Sequence, residues 1–177
     1  MSNSKLTDKL QGIVRENLSR EARAALIAEA IRDEGAYRSV GIYDVDIERG
    51  LVSNLAWSGP VAPAYPAFPI SKGLTSRAIA GKKTVNVGEV STDADYLTAL
   101  GSTRAEIIVP VLDPSGDSVV GTLDVESERA NAFDSASERL LEQCARVLRR
   151  FLDGAPLNAM PPEFLPSGRA RGIAAEL

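Results

Sequence analysis

The sequence predicts an α+β domain in which helices at both ends of the chain cover a central antiparallel sheet. Three features predict it: a long apolar strand hairpin over residues 106–126, helical apolar spacing near both termini, and proline- and glycine-rich punctuation between them. In the first hairpin strand Ile107, Val109 and Val111 share one face and Ile108, Pro110 and Leu112 the other, so the strand is expected to be covered on both sides. In the second, Val119, Gly121, Leu123 and Val125 alternate with Val120, Thr122, Asp124 and Glu126, which ends an apolar run in acids. Asp113-Pro-Ser-Gly-Asp117 between them suits a tight turn, with proline presetting its backbone angle and Gly116 free to take a positive φ.

In chain order, Leu6, Leu10, Ile13, Val14 and Leu18 mark an amphipathic helix over about 4–18, read equally as a dimerisation element or as packing on its own domain. Ser19 caps a second helix, 21–34, with Gly35 as a left-handed stop. Residues 37–47 and 51–57 read as a second hairpin turning at 48–50. Four prolines in 59–69 make a surface loop with Tyr65 and Phe68 as anchors, read either as a lid or as a packed connection plugged by those aromatics.

A short helix, 74–80, ends at Gly81, and its amino end, with Lys72 and Arg77 nearby, suits a carboxylate or phosphate. A strand follows at 84–90, then a polar irregular stretch anchored by Tyr96, Leu97 and Leu100. Asp134 caps a long helix, 135–152, whose stripe of Leu140, Leu141, Cys144, Val147, Leu148, Phe151 and Leu152 is wider than one sheet contact requires, which points to a homodimer through helices. The expected organisation is helices over 1–35, a core over 36–152 and a flexible tail over 153–177, in which Leu157, Met160, Phe164 and Leu165 are docking candidates.

Composition narrows the chemistry. The 177 residues, 44% of them apolar, suit one globular core with flanking pieces. A net charge of −4 with dispersed basic residues disfavours nucleic acid and anionic membranes as partners. No apolar run approaches the roughly 20 residues of a membrane span, and no signal-type segment opens the chain, so a cytoplasmic protein is expected. The sequence holds no histidine and one cysteine, which excludes Ser-His-Asp or Cys-His catalysis, histidine-ligated haem and Cys/His zinc clusters. No cofactor or metal is implied, and Cys144 reads as a small core residue.

The order of elements, with the runs FPISKGLTSRAI, NVGEV, AEIIVPV and GTLDVES and the FD that opens the last helix, resembles a GAF domain over about 36–152. Within that family it is most similar to the free methionine-(R)-sulfoxide reductase group. The resemblance implies a GAF-like sheet with the N- and C-terminal helices on one face and a loop-covered pocket on the other. In that group thiols reduce the sulfoxide; the matching positions here hold Tyr65, Thr75 and Ala99, and no hydroxyl can replace a thiol in disulfide exchange. The acids that hold the amino acid's ammonium group in those reductases correspond to Glu106 and Asp124, with Glu126 beside them. Carboxylates flanking apolar strands must be solvated, ligand-bound or ion-paired, and Arg77 and Arg104 are the candidate pairing partners.

The candidate ligand-binding set is therefore Glu106, Asp124, Glu126, Trp57, Tyr43, Thr75 and Tyr96, with the aromatics as walls. Bilin attachment lacks its cysteine, and the NKFDE signature of cyclic-nucleotide-binding relatives is not apparent. The reading that follows is a stand-alone sensor or regulatory module for a small polar ligand, an amino acid or related metabolite, without redox catalysis. Its alternatives are a protein-interaction module with a vestigial pocket and, third, a reductase-like enzyme. No helix-turn-helix, kinase or cyclase motif occurs, so any signal is expected to leave through a protein partner.

Overall fold

The computed structural model describes residues 3–98 and 101–154. Ala99, Leu100 and the tail from 155 onward, with its four docking candidates, lie outside the described residues. The elements are α1 (Asn3–Val14), α2 (Arg20–Gly35), β1 (Ser39–Asp46), β2 (Leu51–Ser58), β3 (Ala67–Pro69), α3 (Gly73–Gly81), β4 (Val85–Val87), β5 (Ala105–Leu112), β6 (Val119–Ser127) and α4 (Ser135–Asp153), with a short 3-10 turn at Val90–Thr92. One six-stranded sheet runs in the order β3-β2-β1-β6-β5-β4, antiparallel throughout.

The central hairpin behaves as its alternation predicts. Ile107, Val109, Val111, Leu123 and Val125 join Val40 and Ile42 of β1 in the main core, where they meet Ile27 and Ile31 of α2 and Leu141, Cys144 and Leu148 of α4. The other face carries Ile108, which packs with Leu74 and Ala78 of α3 and Val90. The α2 and α4 helices thus cover one face of the sheet, with α1 packed on the two of them, while α3 and the loops cover the other. Gly116 turns the hairpin at φ +84°, and the Asp113 carboxylate accepts the Asp117 N–H at 2.8 Å.

The wide α4 stripe is consumed within the domain. Leu6 and Leu10 of α1 are buried in the same core, and Leu140 and Val147 pack partly buried against it. The first helix therefore packs on its own domain, and it ends at Val14, short of Leu18, which is exposed. A guanidinium tie explains the early end: Arg23 Nη1 donates to the Val14 carbonyl at 2.7 Å, capping α1 from α2. Ser19 caps α2 by accepting the Ala22 N–H, and Asp134 caps α4 by accepting those of Ala136 and Ser137.

Further boundaries differ from the sequence expectation: the strand expected over 84–90 is confined to Val85–Val87, with a 3-10 turn taking up Val90–Thr92. The left-handed residues that end α2 and α3 are Ala36 and Lys82, both at φ +49°, rather than Gly35 and Gly81. Gly35 serves contact instead, since a Cβ there would lie 2.0 Å from the Tyr37 ring. The proline loop closes with a short edge strand, β3, where Pro69 sits without interrupting a ladder on both sides.

The helices are bolted to the sheet by charge. Arg20 at the start of α2 grips Asp44 of β1 with two hydrogen bonds, 2.5 and 2.7 Å, and both side chains are largely buried. The guanidinium groups of Arg20 and Arg23 also stack on Phe151 of α4, at 5.6 and 5.2 Å from the ring centroid. Asp44→Ala strands the Arg20 charge in this layer, so chemical denaturation is expected to show a loss of about 3 kcal/mol.

Candidate functional site

On the face opposite the helices, the register of three strands collects carboxylates. Glu126 of β6 stands between Ser39 of β1 and Glu106 of β5, and the next position on that face, Asp124, stands between Gly41 and Ile108. Glu106 and Glu126 are thus cross-strand neighbours of like charge, an arrangement that destabilises a sheet left to itself. Together with Asp124 they line a cavity of about 40 Å³. Its remaining wall comes from Tyr43 and Phe68, from Leu74 and Thr75 of α3, and from a cover of Val61, Pro63, Tyr65 and Leu97. A volume of this size holds a few waters at most.

The polar groups in this cavity are poorly matched. Asp124 is 9% exposed; Thr75 Oγ1 donates to its Oδ2 at a long 3.4 Å, and Oδ1 is buried without a hydrogen-bond partner. The Glu106 carboxylate, on a residue whose backbone is paired with β4 and β6, makes no hydrogen bond or ion pair among the described residues. Glu126 accepts a hydrogen bond from Thr103 Oγ1. The two arginines that the sequence offered as partners are engaged elsewhere: Arg77 with Asp93 at 2.9 Å, and Arg104 with Glu89 at 2.6 Å. Among the described residues no lysine or arginine lines the cavity.

Burial and mutual repulsion act on the acids accordingly. Burial, with the Asp124 and Glu126 charges behind it, holds Glu106 well above the usual carboxylate range. Burial pushes Asp124 up to about 7, with Thr122 and, less strongly, Thr75 opposing the effect and Glu126 adding to it. Glu126 is also raised by burial, against the pull of Thr103 and Arg38. The Tyr43 hydroxyl is raised by burial and by the same three carboxylates.

Five of the seven candidate residues, Glu106, Asp124, Glu126, Tyr43 and Thr75, come together here. Trp57 does not: it is 42% exposed and shares a surface hollow with α2, at the margin where β3 has stopped pairing with β2. Tyr96 packs beside the Leu74, Ala78, Val90 and Ile108 cluster, one layer away from the cavity lining. Ser39 and Gly41 went unnoticed in the sequence, although they precede Tyr43 at the two-residue spacing of one strand face. A Cβ on Gly41 would lie 2.6 Å from the Tyr43 ring, so glycine keeps this part of the cavity open.

Cys144 lies on the other side of the sheet, fully buried among the helices, where burial pushes its thiol up to about 12. It stays protonated at neutral pH and faces no part of the cavity.

Residues 17–153 match the family model described as GAF domain. The chain belongs to the GAF domain family. GAF domain-containing protein A of Dictyostelium discoideum is 26% identical over 143 residues, 81% of this chain and 87% of that protein. The free methionine-R-sulfoxide reductase of Saccharomyces cerevisiae is 27% identical over 87 residues, about half of each chain (49% and 48%). Among solved structures, the free methionine-R-sulfoxide reductase of Neisseria meningitidis in complex with its substrate superposes with a TM-score of 0.75 at 24% identity, covering 85% of this chain and 88% of that one. This last likeness shows the fold. The GAF fold is typical of small-molecule sensor and regulatory domains, and no helix among the described residues is long and apolar enough to cross a membrane.

The raised acid makes stability depend on pH in a defined direction. Between the ordinary carboxyl value of 3.8 and about 7 the folded state holds the Asp124 proton that the unfolded chain has released. Stability contributed by this site is therefore present at low pH and declines as pH rises through that window. Asp124→Asn is expected to flatten the decline and to raise the melting temperature of the empty protein at pH 8 by about 3 °C or more. Melting curves from pH 4 to 8 on both proteins check it.

Proposed function

We propose that this GAF domain is a sensor or regulatory module whose cavity binds a small polar molecule bearing a protonated amine, an amino acid or related metabolite, without redox catalysis. One observation carries the reading: Glu106, Asp124 and Glu126 converge on one cavity whose described lining holds no lysine or arginine, with only Glu126 partly offset by Arg38, and an Asp124 oxygen is buried unpaired. An ammonium group would pair these acids and lower their pKa values toward ionisation. The opposite end of such a ligand also finds a counterpart. Gly73, Leu74 and Thr75, the first turn of α3, line the same cavity, and no side chain caps that helix, which leaves its N–H groups for a carboxylate.

The related reductases, by their names, act on a free amino-acid sulfoxide, which fits recognition of this class. Their thiol chemistry has no counterpart in the cavity, where Thr75 and Tyr65 stand and the only thiol of the sequence is on the far side of the sheet. Entry requires the cover formed by Val61, Pro63, Tyr65 and Leu97 to move, because 40 Å³ does not admit an amino acid. That small volume favours a second reading, a protein-interaction module with a vestigial pocket.

Isothermal titration with amino acids, methionine sulfoxides and nucleotides separates the two. Binding of an amine-bearing compound is expected, strengthening as pH rises through about 7 with Asp124 ionisation. Glu106→Gln and Asp124→Asn should each weaken it by about tenfold or more while the fold persists. Uniformly silent titrations leave the interaction module. In an NADPH-coupled thioredoxin assay free methionine sulfoxide is expected to give no turnover, and turnover would overturn the non-catalytic part of the reading.

A further inference from the structure

We propose that the groove between α4 and the open edge of β5 is a docking surface for an acidic peptide segment of a partner protein. The sheet leaves this edge open. The β4 strand pairs with β5 only from Glu106 to Ile108, so the rest of β5, out to Leu112, has no strand beside it on that side. A groove of about 430 Å³ lies along it, with α4 as one wall and the turn after α3 as the other. Val109, Pro110 and Leu112 of β5 and Ala145 of α4 give it an apolar floor.

Charge gathers around that floor from distant parts of the sequence. Lys82 and Lys83 follow α3, and Arg146 and Arg149 come from the later turns of α4. Lys82 donates a hydrogen bond to the Asp117 carbonyl at 2.5 Å, which leaves its charge uncompensated, and Lys83, Arg146 and Arg149 join no ion pair among the described residues. The two acids of the groove are already engaged: Glu142 accepts from the Thr84 hydroxyl at 2.8 Å and Glu138 from the Asn86 amide at 3.0 Å. Four cations against two carboxylates leave two positive charges over, in a chain whose net charge is −4. Such a patch attracts and orients an acidic partner.

Shape decides the kind of occupant. From Glu138 to Arg149 the groove follows α4 for roughly 16 Å at 1.5 Å per residue, the length of about five extended residues. Lys82, Lys83 and Arg146 stand exposed along its rims, whereas a small-molecule pocket encloses most of its ligand. A nucleic-acid strand would bring its phosphates against Glu138 and Glu142 as well as against the cations. An acidic peptide with alternating apolar residues meets both features, its acids toward the rims and its apolar side chains on Val109, Pro110 and Leu112. Pro110 has no N–H to donate, which disfavours a full strand ladder and leaves the affinity to side chains.

Fluorescence anisotropy with the full chain and a fluorescein-labelled octapeptide of alternating glutamate and leucine tests the surface. A dissociation constant of about 100 µM or tighter is expected at about 50 mM salt, weakening severalfold by about 200 mM. Glutamine in place of the peptide's glutamate should abolish binding. Lys83→Glu and Arg149→Glu should each weaken it about tenfold with unchanged circular dichroism, and the variant carrying both should come to prefer a peptide of lysine and leucine. That exchange of preference separates contact in the groove from damage to the fold, and the neutral Arg149→Gln should weaken binding in the same direction without reversing a charge on α4. No binding of the acidic peptide, equal binding of its glutamine counterpart, variants that bind as the wild type does, or a preference for oligothymidylate or ADP over the peptide would each overturn the proposal. The readout uses no amine ligand, so it stands or falls independently of the function proposed for the cavity.

Discussion

The two-residue alternation along β6 is the constraint on which the rest of the molecule depends. Leu123 and Val125 enter a helix-covered core while Asp124 and Glu126, their immediate neighbours, enter a cavity. A slip of one residue in register would send both carboxylates among Ile27, Leu141 and Leu148 and expel the leucine and valine, at a cost the domain's marginal stability could not bear. Pairing with β1 and β5 on either side fixes that register and, with the same stroke, sets Glu106 opposite Glu126. The acidic site is therefore a consequence of sheet geometry, and cannot be altered by loop rearrangement alone.

Carboxylates placed this way need a rigid support on the other side of the sheet, and the helical layer supplies it. Arg20 spans from α2 to Asp44 of β1, and Arg20 and Arg23 both rest on Phe151 of α4, so three elements meet in one charged and aromatic joint. The opposite edge is tied as well. Thr84 donates to Glu142 of α4 at 2.8 Å, and Asn86 of β4 donates to Glu138 at 3.0 Å. The helices thus hold β1, β6 and β5 as a plate. The residues that cover the cavity, Val61, Pro63, Tyr65 and Leu97, come from connections outside the regular strands and helices. A fixed acidic floor under a loop-built cover is suited to recognition, because opening need not disturb the register that places the acids.

What the sequence revealed followed from how local the controlling physics was. The two faces of the hairpin, the acids at its ends and the caps at Ser19 and Asp134 were legible, since alternation and capping depend on neighbours within a few residues. The stop of α2 was misplaced because Gly35 makes room for the Tyr37 ring two residues on while the left-handed conformation falls on Ala36; at the end of α3, where a Cβ on Gly81 would meet nothing, the structure offers no such reason for the shift to Lys82. The destinations of Arg77 and Arg104 were illegible, since Asp93 and Glu89 reach them through loop geometry. Trp57 was misassigned for the same reason: a strand pattern does not reveal where a neighbouring strand such as β3 stops. Periodicity likewise could not tell that α1 would consume the spare width of α4.

The closed cavity and the unpaired acids are two aspects of one equilibrium. With the cover in place and no cation inside, Glu106 and Asp124 are driven toward their protonated forms, since repulsion and burial both oppose their charge. A protonated amine reverses this balance by supplying the opposite charge at the place where burial is most costly. On the proposed function an amine inside would keep the carboxylates ionised, whereas the empty cavity favours their protonated forms. An amine and protons would then compete for the same acids, so occupancy of the cavity would be linked to pH by two adjacent cross-strand positions of β6.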